Sequence, residues 1–275
     1  MSDENKYYYS NNSQQYELDV ENSNWFSINV FGPIKNYSID MYVWTDGENY
    51  YRSNNTSHYV LDKTTMSWKT KTWKGLTSFT AEHIWIYNDV CYYSQGEKQY
   101  YLDRSTDTWI QKTDWNLTVF YGNCIWTDGQ NYYYSNAENQ YQLNPETLIW
   151  EEKVWNSGFQ EVSGAYIWTD GNDFFYSPPY SADYIFNTET GCWDSFRWSG
   201  AVYDVEASSI WTDGELYYYT TYSSNYYLDP STRTWLTKIF TGSVLIQGNY
   251  TGIEVVEIDG TAYCKSFVFN NSLHL

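Results

Sequence analysis

Acidic side chains are the first candidates for chemistry in this sequence. Asp46, Asp128, Asp170 and Asp213 each precede a glycine, and carboxylates repeated around one axis could hold a hard cation. Asp-Gly between two apolar segments is also what a tight hairpin requires, which accounts for these residues with no metal. Glycoside hydrolysis needs two carboxylates at a suitable separation, and no pair stands out among the 34 Asp and Glu. An anionic sugar is clamped by arginines because the guanidinium fork matches a carboxylate. Here Arg104 and Arg233 fall in turns and Arg197 on an outer strand, so Arg52 alone is a candidate for a ligand face. His58, His83 and His274 are far apart, and Cys91, Cys124, Cys192 and Cys264 show no C-x-x-C spacing. No Cys/His metal site is expected, and the thiols read as free and mostly buried in a reducing compartment. Nothing resembles a nucleophile elbow, a P-loop or a His-Glu-x-x-His helix. The expectation is a protein without catalytic residues, metal or cofactor, a glycan-active enzyme being the minor alternative.

The elements that carry these residues belong to a chain of 275 residues, in which 15 Lys+Arg face 34 Asp+Glu, a formal charge of −19. So few cations exclude nonspecific nucleic-acid binding and attraction to an anionic membrane. The hydrophobic fraction is 42% and the aromatic fraction 21%, with 32 Tyr and 15 Trp, too apolar for a disordered acidic chain. The start, Met1-Ser2-Asp3-Glu4-Asn5-Lys6, carries no secretory pattern, and no apolar run is long enough to span a bilayer. A cytoplasmic location is expected, with association with a virion as the alternative.

Internal repetition dominates. Tyr-x-Leu/Phe-Asp/Asn followed by a Trp six residues on occurs at Tyr16-Asp19-Trp25, Tyr59-Asp62-Trp68, Tyr100-Asp103-Trp109, Tyr141-Asn144-Trp150, Tyr184-Asn187-Trp193 and Tyr226-Asp229-Trp235. The tryptophans are 43, 41, 41, 43 and 42 residues apart. An Ile-Trp-Thr-Asp-Gly element, or a variant of it, precedes copies two to six, starting at Val43, Ile84, Ile125, Ile167 and Ile210; a degenerate version occupies residues 256–260. Each unit reads as four short strands: Ile-Trp-Thr (a), the Tyr-Tyr-Tyr-Ser run (b), Tyr-x-Leu-Asp (c) and a strand starting at the outer Trp (d). The c–d Asp or Asn can accept from turn N–H groups or from the Thr three residues on. Twisted four-stranded sheets of this length match propeller blades, and face-to-face stacking explains consecutive aromatics. The copy count predicts one all-β domain over residues 1–275, a six-bladed propeller whose N- and C-terminal strands share one blade. Either Tyr7 to Ser10 or residues 262–266 would supply that blade's b strand.

Tyr227-Leu228-Asp229-Pro230-Ser231-Thr232-Arg233-Thr234-Trp235 resembles the Tyr-Asp-Pro-x-Thr-x-x-Trp segment of a kelch repeat, across all six units, although the Gly-Gly doublet of that family is absent. The resemblance implies a six-bladed propeller and no particular function. Arrays of this Trp/Tyr-rich type also look like repeat proteins of bacteriophages and gut bacteria, a likeness that hints at a virion or accessory role.

Positions shared by every repeat serve the blade, and those that differ are free to serve a ligand. The a–b and c–d turns are nearly uniform and fall on one face; the b–c and d–a connections vary and fall on the other. The expected ligand residues on that variable face are Arg52, Phe159, Tyr180, Tyr203 and Tyr222. The expected partner is a protein or a neutral glycan, met by Tyr, Asn, Ser and Phe loops.

Overall fold

Ile-Trp-Thr, or its variants Val43-Trp44-Thr45 and Ile84-Trp85-Ile86, forms an edge strand in every full blade because its β-branched and aromatic residues suit a pleated surface buried on both faces. The computed structural model describes residues 7–10, 15–28, 42–65, 67–117, 119–156, 159–213, 215–221, 223–242, 253–254, 267–269 and 272–274. Five sheets contain four antiparallel strands in the order a-b-c-d. Blade 1 holds Tyr42–Thr45, Tyr50–Ser53, His58–Asp62 and Ser67–Thr70. Blade 2 holds Ile84–Tyr87, Val90–Gly96, Lys98–Asp103 and Thr108–Gln111. Blade 3 holds Ile125–Thr127, Tyr132–Ser135, Gln140–Leu143 and Trp150–Glu152. Blade 4 holds Ile167–Thr169, Phe174–Tyr176, Asp183–Asn187 and Cys192–Phe196. Blade 5 holds Ile210–Thr212, Tyr217–Thr220, Asn225–Asp229 and Thr234–Lys238.

The expected six-bladed ring is corrected by this topology: among the described residues there are five full blades, not six, and one additional sheet of different make-up. Tyr7–Ser10, Gln15–Asp19 and Asn24–Ile28 are the b-, c- and d-like strands of that terminal sheet. The strand beside Tyr7–Ser10 is only the two-residue Ile253–Glu254, not an Ile-Trp-Thr strand closed by Asp-Gly. Counting Tyr-Asp-Trp copies overestimates the blades, because the first copy belongs to a sheet without an a strand of its own. Residues 256–260 and 262–266, read as contributors to that sheet, lie outside the described residues. Phe267–Phe269 and Ser272–His274 pair as a separate hairpin.

Three rings repeat at the interfaces between blades. Trp44 and Trp73 of blade 1 meet Trp109 of blade 2 at 6.0 and 6.1 Å between centroids. Trp85, Trp115 and Trp150 repeat the arrangement between blades 2 and 3, Trp126, Trp155 and Trp193 between blades 3 and 4, and Trp168, Trp198 and Trp235 between blades 4 and 5. On the far side of blade 5 the set is Trp211, Phe240 and Trp25 of the terminal sheet. Tilted and edge-on rings contribute about 0.5–1.5 kcal/mol per pair beyond the area they bury. The structure is thus a β-propeller-like arrangement of small antiparallel sheets joined by Trp/Tyr-rich clusters.

Polar residues of the repeat are consumed in the same way. The strand a indole N–H donates to the hydroxyl nine residues later in every blade: Trp44 to Ser53, Trp85 to Ser94, Trp126 to Ser135, Trp168 to Ser177 and Trp211 to Thr220, at 2.9–3.0 Å. The Ser that ends each Tyr-rich run is therefore a partner for a buried donor. After strand d, the chain runs onto strand d of the next sheet. Lys74 bridges Thr108, Ser199–Gly200 pairs in parallel with Thr234 and Trp235, and Thr241–Gly242 pairs with Asn24 and Trp25. Between blades 2 and 3 the Asn116 side chain makes the stitch, donating to Trp150 O and accepting from Trp150 N.

Candidate functional site

The Asp-Gly carboxylates are the first group to place. In blade 1 Asp46 Oδ1 accepts from the N–H groups of Glu48 and Asn49, and Gly47 takes φ 91°. Asp128, Asp170 and Asp213 repeat this arrangement. Each carboxylate thus organises its own turn, as hairpin chemistry requires. Blade 2 uses Asn88 and Asp89 instead, both at positive φ (48° and 60°), the geometry of a two-residue primed turn. The c–d turns behave alike: Asp103 Oδ2 accepts from Thr106 Oγ1 and Asp229 Oδ2 from Thr232 Oγ1, bonds that help hold both carboxyls below their usual range.

His58, His83, Cys91 and Cys192 are buried in the core. His58 is buried, stacks on Phe79 at 4.5 Å and has Nε2 3.2 Å from Thr77 O. Burial lowers the pKa of both His58 and His83. Cys91 and Cys192 are buried, and burial pushes the Cys124 thiol up to about 12. Among the described residues no group of three or more His, Cys, Asp or Glu is placed to hold a metal, and no helix is long and apolar enough to cross a membrane.

The five expected ligand residues separate. Arg52 is not on a loop: it is the third residue of strand Tyr50–Ser53, only 3% exposed, and occupies the position of Tyr93, Tyr134, Tyr176 and Tyr219 in the other blades. Phe159 is half-buried and stacks on Tyr184 at 4.4 Å and Tyr176 at 5.6 Å, so its ring is engaged in packing. Tyr222 lies outside the described residues. Tyr180 and Tyr203 are brought together on neighbouring loops. Ala207 N donates to Ser177 O at 2.9 Å, and Val205 N lies 3.4 Å from Asp183 Oδ2, which ties the blade 4 b–c loop to the d–a loop that follows. On this pair of loops Tyr180 is 99% exposed at φ 58°, and Tyr203 is 55% exposed with the Arg197 guanidinium 5.2 Å from its ring.

Beneath those loops sits a carboxylate that sequence reasoning missed. Asp183, the first residue of strand c in blade 4, is 1% exposed, and burial pushes its pKa up to about 7 against hydrogen bonds from Ser177 and Val205 N that act to lower it. The equivalent residues are His58, Gln99, Gln140 and Asn225, each polar and each different in side chain or setting. A buried polar position that changes from blade to blade is the signal that could have found it. In blade 2 the b–c connection shrinks to a tight turn at Gly96-Glu97, between strands Val90–Gly96 and Lys98–Asp103.

No protein-family model and no curated protein matches the chain. Among solved structures, one titled "Structure of YjhT" aligns with a TM-score of 0.44 at 13% identity, over 60% of this chain and 66% of that one. The alignment thus spans just under two thirds of that protein's length.

Proposed function

We propose that the protein is a non-enzymatic binding module that meets a protein partner on the face carrying the b–c and d–a loops of blade 4. The supporting observation is Tyr180, a bulky ring held 99% exposed on a left-handed backbone directly after Pro178-Pro179. A non-glycine residue in that region costs of order 1–3 kcal/mol, a cost retained where the surroundings over-determine it and often where function uses it. Tyr203 with Arg197 against its ring supplies a second anchor of the residue types that dominate protein interfaces. Kelch-type membership of the repeat belongs to the same proposal and rests on the Tyr226-to-Trp235 segment, whose Asp229 caps its turn as the motif requires.

The test places a photo-crosslinking amino acid at position 180 of the full chain, and at position 189 on the opposite face as a control. A partner crosslinked from 180, not from 189, and lost when Tyr180 and Tyr203 are both changed to Ala supports the reading. Equal crosslinking from both positions, or capture indifferent to the double substitution, refutes it.

A further inference from the structure

The face of a–b and c–d turns is not as uniform as its sequence. Among the described residues, the last residue of five c–d turns adopts positive φ: Ser23 (50°), Asp107 (54°), Leu148 (56°), Gly191 (67°) and Arg233 (52°). In four of these five turns the side chain closes the gap to the preceding blade. Asp107 takes Lys71 Nζ at 2.6 Å, Leu148 packs on the cluster around Trp85, Arg233 reaches Asp173 Oδ2 at 2.5 Å, and Ser23 Oγ accepts from Lys238 Nζ at 2.8 Å. Gly191 has no side chain to do this. A second departure meets it from blade 3: Gln142 stands where the other blades carry Val60, Tyr101, Ile185 and Tyr227. Between blades 3 and 4 these two residues line an open groove of ≈ 570 Å³, within the range of about 300–1,000 Å³ usual for small-ligand sites.

The chemistry of the groove is that of amides above rings. Asn131, Gln142, Asn156 and Asn172 line it, with Phe174 and Phe186 in its wall. Gln142 spends one N–H on Asn131 Oδ1 at 3.0 Å; its carbonyl oxygen and other N–H have no protein partner among the described residues. Of the charged lining residues, Asp128 accepts from two turn N–H groups and from the Tyr133 hydroxyl, Lys153 Nζ lies 5.4 Å from the Trp155 ring, and Glu189 stands exposed in the c–d turn of blade 4. Amides both donate and accept, as sugar hydroxyls do, while Phe174 and Phe186 are buried and give the groove a narrow apolar wall. We infer that the groove between blades 3 and 4 binds an uncharged saccharide, independently of the protein-binding loops on the other face.

The test titrates the full chain with maltotriose, cellotriose and chitotriose, and with sialyllactose as an anionic comparison, by calorimetry. Gly191→Arg and Gln142→Tyr install residues that blade 5 already carries at these positions. The Cβ added at Gly191 would meet the Asn156 amide, which donates to Thr190 O, at 3.3 Å, on a backbone at φ 67° that Arg233 also adopts in blade 5. Saturable binding of at least one uncharged sugar is expected, weakened about tenfold or more by Gln142→Tyr and by Gly191→Arg, with the melting temperature nearly unchanged in Gln142→Tyr, lowered in Gly191→Arg by its positive φ, and Tyr180→Ala without effect on binding. If Gly191→Arg does not fold, Gln142→Tyr decides alone. No uncharged sugar bound at millimolar concentration, a preference for sialyllactose, or wild-type affinity in the folded variants overturns the inference.

Discussion

The Tyr218 hydroxyl donates to Asp213 Oδ2 at 2.6 Å, while in blade 4 Phe175 stands in place of Tyr218 and offers Asp170 no such bond. Both aspartates accept from two turn N–H groups, so their difference isolates the phenol. Asp213→Ala leaves a buried hydroxyl without its acceptor, which costs about 1–3 kcal/mol beyond the loss of the turn. Asp213→Ala should therefore destabilise more than Asp170→Ala in urea unfolding, and Tyr218→Phe should bring the two costs together.

The indole–hydroxyl pairs make a sharper case. Ser135→Ala strands the buried Trp126 N–H, an unmet donor worth about 1–3 kcal/mol. Ser135→Thr should be close to neutral, since Thr220 already serves Trp211 at 2.9 Å. Equal stability of Ser135→Ala and wild type would show that the bond adds nothing.

Gly122 opens the short 3-10 turn Gly122–Cys124, and a Cβ there would lie 2.0 Å from the His83 carbonyl oxygen of the preceding turn. That contact is backbone against backbone and cannot be relieved by a rotamer change. Gly122→Ala is expected to cost about 4 kcal/mol or more, in the range reserved for severe lesions, with the melting transition broadened or lost.

Asp183 makes stability depend on pH. Its folded-state pKa of about 7 lies above the ordinary value of 3.8, so between these values the folded chain binds the proton more tightly than the unfolded one. Its contribution is complete below pH 3.8 and is lost as pH rises through 7, by about 4 kcal/mol as an upper bound. Asp183→Asn should flatten this part of the stability–pH curve and stabilise the protein at pH 8, Asn225 already filling the same position in blade 5. A curve in Asp183→Asn parallel to that of wild type would assign the pH dependence elsewhere.

Strand identity was legible in this sequence because packing imposes it: Trp68, Trp109, Trp150, Trp193 and Trp235 must each fill the same hole. The number of full blades was not, since Tyr16-Asp19-Trp25 carries the c–d formula in a sheet whose neighbouring strand is only Ile253–Glu254. Arg52 was misplaced because a cation ending Tyr50-Tyr51-Arg52 reads as the start of a loop, whereas the backbone continues as strand through Ser53. The loop tyrosines stood out as departures from the repeat. The groove did not, because it comes from a missing side chain at Gly191, and the other residues there, Ser23, Asp107, Leu148 and Arg233, share a backbone conformation rather than a chemistry.

The stitches from each strand d exit to the next sheet carry a consequence for how such a chain can change. Lys74 at Thr108 and Ser199 at Thr234, by parallel backbone pairing, and Asn116 at Trp150, by its side-chain amide, all land on the start of strand d in the next sheet. A unit copied or excised by recombination between repeats would therefore present matching ends to its new neighbours. Lengthening or shortening the array by whole repeats asks for no new joint, only for a terminal sheet able to receive the last one.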